Sequence, residues 1–167
     1  NLSKLRETMK FKSGDEFISS LVSEYCPEPV VSSSIRLDTY YKKAHSMFHQ
    51  ALDFVKQGND AQSYIYLMRY AQLIMQLQNH NNYNLKQYEK EKNLNKRRLN
   101  NAITKLEELK PKLVKSYNDE IKKEKEQKEK EQILLENDDN NDEIETEEKD
   151  EIITAPKEEE EEEEEEK

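Results

Sequence analysis

From Asp60 to Leu77 the chain reads DAQSYIYLMRYAQLIMQL. Its apolar positions there are Ala61, Tyr64, Ile65, Leu67, Met68, Tyr70, Ala71, Leu73, Ile74, Met75 and Leu77. They cover far more than one stripe of a helix. A helix that is apolar nearly all round has to be covered by neighbours on several sides. The pattern therefore predicts the central helix of a small bundle, with Arg69 as its only charge after Asp60.

The elements around it follow from the same periodicity. Leu2, Leu5 and Met9 have helical spacing and predict a short first turn or two. Ser13-Gly14-Asp15 offers a break and a cap, and Phe17, Ile18, Leu21, Val22 and Tyr25 form one face of a short amphipathic helix. Cys26-Pro27-Glu28-Pro29 ends that helix, because a proline disfavours helical geometry at the residue before it. Val30 to Arg36 reads as a linker. Asp38 is the expected N-cap of the next helix, whose buried face is read as Tyr41, Ala44, Phe48, Ala51, Leu52 and Val55. Gly58 sits where a helix end needs a positive φ, and Asn59 and Asp60 follow as caps. So short a connection makes 39–57 and 60–78 antiparallel neighbours.

Asn79 to Asn84 is a polar break. A long helix then begins near Leu85, with a stripe of Tyr88, Leu94, Leu99, Ala102, Ile103, Leu106, Leu109, Leu113, Tyr117 and Ile121. Pro111 interrupts it. The stripe continues on both sides, so a bend is expected there and not an end. Beyond Ile121 a run of Lys, Glu and Gln predicts a solvated helical extension, helped by the pairs Glu124–Lys128 and Glu126–Lys130. From Asn137 the chain is mostly Asn, Asp and Glu, and closes on Glu158–Glu166 and Lys167; such a run is expected to be disordered. The predicted fold is thus all-α: a small antiparallel helical bundle with a long C-terminal helix and a disordered acidic tail. Its segments are 1–36 (short helices and linker), 37–121 (bundle), 122–136 (charged extension) and 137–167 (tail).

Charge changes this picture. Residues 1–120 hold 19 Lys/Arg and 14 Asp/Glu, net +5, whereas residues 121–167 hold 8 and 23, net −15; together they give the −10 of the whole chain. Lys86 to Lys115 carries ten Lys/Arg against four Glu, net +6 on one helix. Lys90, Arg97, Arg98, Lys105 and Lys112 are the candidate partner-binding residues there. An acidic helix or an anionic surface suits such a face. Nucleic acid does not, since the tail would repel it and no nucleic-acid-binding signature accompanies the patch.

No catalytic constellation emerges. His45 and His49 share a helix face, but Ser46 stands where a zinc protease needs Glu, and a third ligand is not evident; no metal is expected. The lone Cys26 suits a reducing compartment and is expected to be incidental. Two glycines, Gly14 and Gly58, exclude a glycine-rich phosphate loop, and no apolar run reaches the length of a membrane span. No cofactor is implied. The chain opens on Asn1 and not on Met, so a catalytic domain outside this stretch stays open.

The hairpin Tyr40-Tyr41-Lys42-Lys43-Ala44 … Gly58-Asn59-Asp60-Ala61-Gln62-Ser63-Tyr64-Ile65-Tyr66-Leu67-Met68-Arg69-Tyr70 resembles the N-terminal region of endosomal deubiquitinases, the AMSH metalloproteases and their ubiquitin-specific-protease counterpart. Leu106-Glu107-Glu108-Leu109-Lys110-Pro111-Lys112-Leu113 … Tyr117 resembles the final helix of that region. This region is the USP8-type dimerisation domain, a relative of the microtubule-interacting-and-trafficking (MIT) helical domains, and the likeness runs from about Ser13 to Glu120. The resemblance implies a non-catalytic interaction module that binds C-terminal helical tails of ESCRT-III subunits, self-associates, or both. It implies work with deubiquitination machinery, in the cytoplasm and peripheral to endosomes, with membranes reached through partners only. The chain departs from the family proteases in having neither the zinc motif nor the Cys and His boxes. The expected groove lies between the Asp38 and Leu85 helices or between the central and Leu85 helices, and the glutamate run is expected to compete there with acidic ligands. The alternative from another class is a helical homo-oligomerisation scaffold with a solubilising acidic tail.

Overall fold

A computed structural model describes residues 11–142, with side chains described through residue 136. The expected first helical turn at Leu2–Met9, and the tail from residue 143 with its glutamates, lie outside the described residues. Four α-helices follow in order: α1 (Gly14–Tyr25), α2 (Leu37–Lys56), α3 (Asp60–Gln76) and α4 (Glu89–Asp142), with 3₁₀ turns at Leu77–Asn79 and Lys86–Tyr88. There is no strand among the described residues. The chain forms one unit up to Lys123 and a second from Glu124.

Local chemistry sets most boundaries. Ser13 caps α1 by accepting from the Glu16 amide at 3.3 Å, and the helix stops at Tyr25, two residues before Pro27. Gly58 has φ +69°, and Asn59 caps α3 by accepting from the Gln62 amide at 3.2 Å. Asp38 is not a cap. The helix begins one residue earlier, at Leu37, with Arg36 in the N-cap position and no side-chain cap hydrogen bond. The Asp38 carboxylate turns instead to Arg36 Nε at 3.1 Å. Burial of Leu37, fully excluded from solvent, draws the first turn back past the better capping residue.

The core of the first unit forms around α3. Tyr64, Ile65, Leu67, Tyr70, Ala71, Leu73 and Ile74 are all buried there. From α2 come Leu37, Tyr40, Tyr41, Ala44, Met47, Phe48 and Ala51, and from α4 come Ala102, Leu109, Leu113 and Tyr117. Each large apolar side chain so buried contributes about 1.5–3 kcal/mol relative to exposure. The α2 stripe sits slightly off the expected line. Tyr40 and Met47 are core, Val55 is half-buried and Leu52 is 37% exposed. Leu37, Tyr40, Ala44, Met47 and Ala51 advance by three or four and define the centre of the stripe, which leaves Leu52 at its edge. On α4, Ile103 is likewise exposed, next to the fully covered Ala102.

Helix α1, which the sequence places ahead of the bundle, belongs to its core. The Phe17 ring stacks parallel on Tyr117 at 4.5 Å between centroids. The Gly14 amide donates to Asn118 Oδ1 at 2.8 Å, and a Cβ on Gly14 would lie 2.5 Å from the Val114 carbonyl oxygen. Only a residue without a side chain lets α1 start so close to α4.

Three polar side chains inside the core, Tyr70, Asn95 and His80, are paired. Tyr70 hydroxyl donates to Asn95 Oδ1 at 2.8 Å, and Asn95 Nδ2 donates to the Glu91 carbonyl at 2.8 Å. His80 sits in the stretch read as a polar break, yet it is only 3% exposed. Its Nε2 lies 2.8 Å from the Ile35 carbonyl oxygen, and its Nδ1 accepts from the Asn82 amide at 3.1 Å. It therefore ties the turn after α3 to the linker before α2.

Helix α4 runs through Pro111 without ending. In the second unit the side chains from Glu124 to Glu136 are exposed, and Gln127 and Gln132 donate to Glu131 and Glu136 one turn on. The helix continues to Asp142, so residues 137–142 are helical within the stretch expected to be disordered.

Gly14→Ala should lower unfolding free energy by about 1–3 kcal/mol through overpacking against Val114, read as a reduced urea midpoint at unchanged slope. Tyr70→Phe should cost about 1–3 kcal/mol in the same assay, because it strands the buried Asn95 amide oxygen.

Candidate interaction groove

The five cationic candidates do not converge. On an α-helix, residues 90 and 112 are about 33 Å apart along the axis. Lys90 and Arg97 are exposed. Lys105 is engaged with Glu108 Oε2 at 3.0 Å. Lys112 borders a shallow hollow with Glu108, Pro111 and Lys115. Arg98 alone among them enters a larger depression.

That depression lies between α2 and the start of α4 and has a volume of about 580 Å³. Arg36, Lys42, His45 and Arg98 bring nitrogen groups to it, Asp38 and Glu91 bring carboxylates, and Tyr88 and Leu94 bring apolar surface. Of the two grooves expected from sequence, this is the one between the Asp38 and Leu85 helices. Sequence reading missed Arg36, Tyr41, Lys42, His45, Tyr88, Glu91 and Leu94 as wall residues. The usable signal was their spacing. Tyr41 and His45 are four apart on α2, while Glu91, Leu94 and Arg98 are three and four apart on α4, so each set lines one helix face.

Arg98 is held in place by two contacts. Its guanidinium lies 5.1 Å from the centroid of the Phe48 ring, and Nη1 is 3.0 Å from His45 Nδ1. Arginine is always the donor, so His45 Nδ1 accepts and the ring is neutral in this contact. The His45 pKa is lowered, first by desolvation and then by the neighbouring His49 and Arg98. The His49 ring lies beside it, tilted by 57°, at 4.2 Å between ring centroids. Among the described residues no three side chains gather in a way that could hold a metal ion.

Deeper in the wall, Tyr41 is 6% exposed, and its hydroxyl finds no hydrogen-bond partner among the described residues; nor does Glu91 Oε2. Burial pushes the Tyr41 hydroxyl up to about 12, with Tyr83, Glu91 and Tyr88 adding to the effect. Lys92, one residue on from Glu91, sits over the Tyr83 ring at 4.6 Å and donates to Asn84 Oδ1 at 3.2 Å.

Cys26 lies away from this groove. It is 3% exposed, its thiol points to the Ile65 carbonyl at 3.6 Å, and burial raises its pKa to about 11 despite the opposing charge of Arg69. A thiol so protonated is a poor nucleophile.

Residues 10–120 match the USP8 dimerisation domain. The chain belongs to that family. No curated protein and no solved structure matches it. The USP8 dimerisation domain is a module for association and not for catalysis, and its span takes in α1, α2, α3 and α4 as far as residue 120. No helix among the described residues is long and apolar enough to cross a membrane.

In an NMR titration, His45 should take its proton below the ordinary histidine range, and Arg98→Ala should move that step upward. A lowered pKa in the folded state means stability that is present above the unfolded value and lost as pH falls. Because the ring is exposed to water, the effect on stability is small.

Proposed function

We propose that this USP8 dimerisation domain seats the acidic, amphipathic C-terminal helices of ESCRT-III subunits in the groove between α2 and α4. Leucines of the partner fill the floor at Tyr88 and Leu94. Arg98 and Lys42 meet its carboxylates, while Lys90, Arg97, Lys105 and Lys112 supply a diffuse field that speeds encounter more than it tightens the complex. In this reading the chain is an MIT-like, non-catalytic part of endosomal deubiquitination machinery, related to that of the AMSH proteases. It is cytoplasmic, peripheral to endosomes, and brought to the membrane through its partners.

The observation that carries this reading is Arg98, oriented by Phe48 and His45 at the edge of an open groove with an apolar floor. An arginine fixed in this way loses less side-chain entropy on pairing with a carboxylate than a free lysine does. Self-association is the second reading, and membership of a dimerisation family supports it.

A fluorescence titration of the chain with ESCRT-III tail peptides tests the first reading. Saturable binding that weakens with salt is expected, and Arg98→Glu should loosen it about tenfold, a loss of ~1.4 kcal/mol. Binding that ignores both salt and Arg98→Glu would remove the groove from the account.

A further inference from the structure

His45, on the α2 wall of the groove, is one of three histidines in the chain. His80 is buried and already shared between the Ile35 carbonyl and the Asn82 amide. His45 is exposed, and its Nδ1 accepts from Arg98 Nη1 at 3.0 Å. The cation best placed to meet a partner's carboxylate is therefore already in use. The group that uses it is a base that titrates close to neutrality.

Two acceptors compete for Arg98 when an acidic helix arrives. The neutral imidazole offers one lone pair. A carboxylate offers a charge and two oxygens, and such charge-assisted pairs are roughly twice as strong. Arg98 keeps its support during the exchange, because the Phe48 ring lies 5.1 Å from its guanidinium. The imidazole left behind then faces a carboxylate where it had faced a guanidinium. Protonated, it becomes a second donor to the same anion.

The charges around the ring set the direction. Lys42 and His49 on α2 and Arg98 on α4 oppose a proton there, whereas Asp38 on α2 and Glu91 on α4 favour one. Asp38 is partly spent on Arg36, just ahead of α2, at 3.1 Å. Tyr41 and Tyr88, as phenols, complete the titratable groups of the depression. In the free chain desolvation, His49 and Arg98 hold the His45 pKa below its ordinary value. An incoming carboxylate reverses the local sum.

We propose that an acidic helix entering the groove takes Arg98 from His45 and that the freed imidazole takes up a proton from solvent, so that binding is coupled to the protonation of this one residue. His45 is then a positioning residue for Arg98 in the free chain and a donor to the partner in the complex. This rests on the reading of the groove as a site for acidic helices, and it adds what regulates that site. The ring holds its proton more tightly in the complex than in the free chain. Affinity therefore rises as pH falls through the histidine range, and it levels off once the free ring is protonated as well. By reciprocity, the bound helix strengthens proton binding by the same factor.

Isothermal titration calorimetry of the full chain with a histidine-free ESCRT-III tail peptide tests this, run in two buffers of different ionisation enthalpy. Binding should tighten by about fivefold from pH 8 to pH 6, with uptake of about half a proton per peptide near pH 6.5. His45→Gln should abolish the uptake and flatten the pH dependence while binding persists, because a glutamine carbonyl can still accept from Arg98 but does not titrate. His49→Gln should leave the uptake in place. Both substitutions are at exposed positions, and far-UV circular dichroism checks that helicity is kept. Peptide binding without proton uptake, binding that tightens as pH rises, or uptake that survives in His45→Gln would overturn this inference and leave the groove standing. No binding at any pH would overturn the reading of the groove and this inference with it.

Discussion

The first unit is the answer to one constraint: α3 has more apolar surface than a single neighbour can hide. Tyr64, Leu67, Tyr70, Leu73 and Ile74 lie on several sides of the helix, and all are buried. Their burial requires cover from α2, α1 and α4 together. The antiparallel turn at Gly58-Asn59 brings α2 along one side. The remaining sides recruit α4, which passes close enough for Tyr70 to reach Asn95, and α1, whose Phe17 closes on Tyr117. Gly14 then becomes a condition of the packing and not a mere interruption, because α1 begins against the backbone of α4.

Much of this was legible in the residues. The apolar wrap of α3, the caps at Ser13 and Asn59, the left-handed residue at Gly58 and the continuity through Pro111 all follow from local chemistry or helical period. Other features were not, and each has a tertiary cause. Asp38 is a good cap in isolation, yet burying Leu37 shifts the helix start. His80 looks like part of a polar loop, and only its distant partner, the Ile35 carbonyl, makes it a buried strut. Short amphipathic α1 gives no hint of its depth, because the ring it stacks on is a hundred residues away. Ile133 to Leu135 give no periodic signal, because three neighbours in sequence spread round a helix and do not extend a stripe.

Electrostatics was legible in amount but not in arrangement. The excess of cations on α4 is a property of composition, and Lys90, Arg97, Arg98, Lys105 and Lys112 all fall off its apolar stripe. Spread along a helix, they act at several places. Lys105 is compensated by Glu108, and Lys112 borders a different hollow. What distinguishes Arg98 is an aromatic face beneath it and an imidazole beside it, both supplied by α2. Such preorganisation comes from pairs of elements, so a one-dimensional count of charge cannot find it.

The seclusion of Cys26 has a practical side. It is the chain's single cysteine, and a pKa of about 11 leaves a thiolate fraction on the order of 10⁻⁴ near pH 7. Alkylating reagents and maleimide dyes should pass it by while the fold is intact. A cysteine introduced on an exposed turn of any helix would then be the one handle on the native molecule. Distance and mobility measurements could be made on the protein without first engineering a background free of thiols.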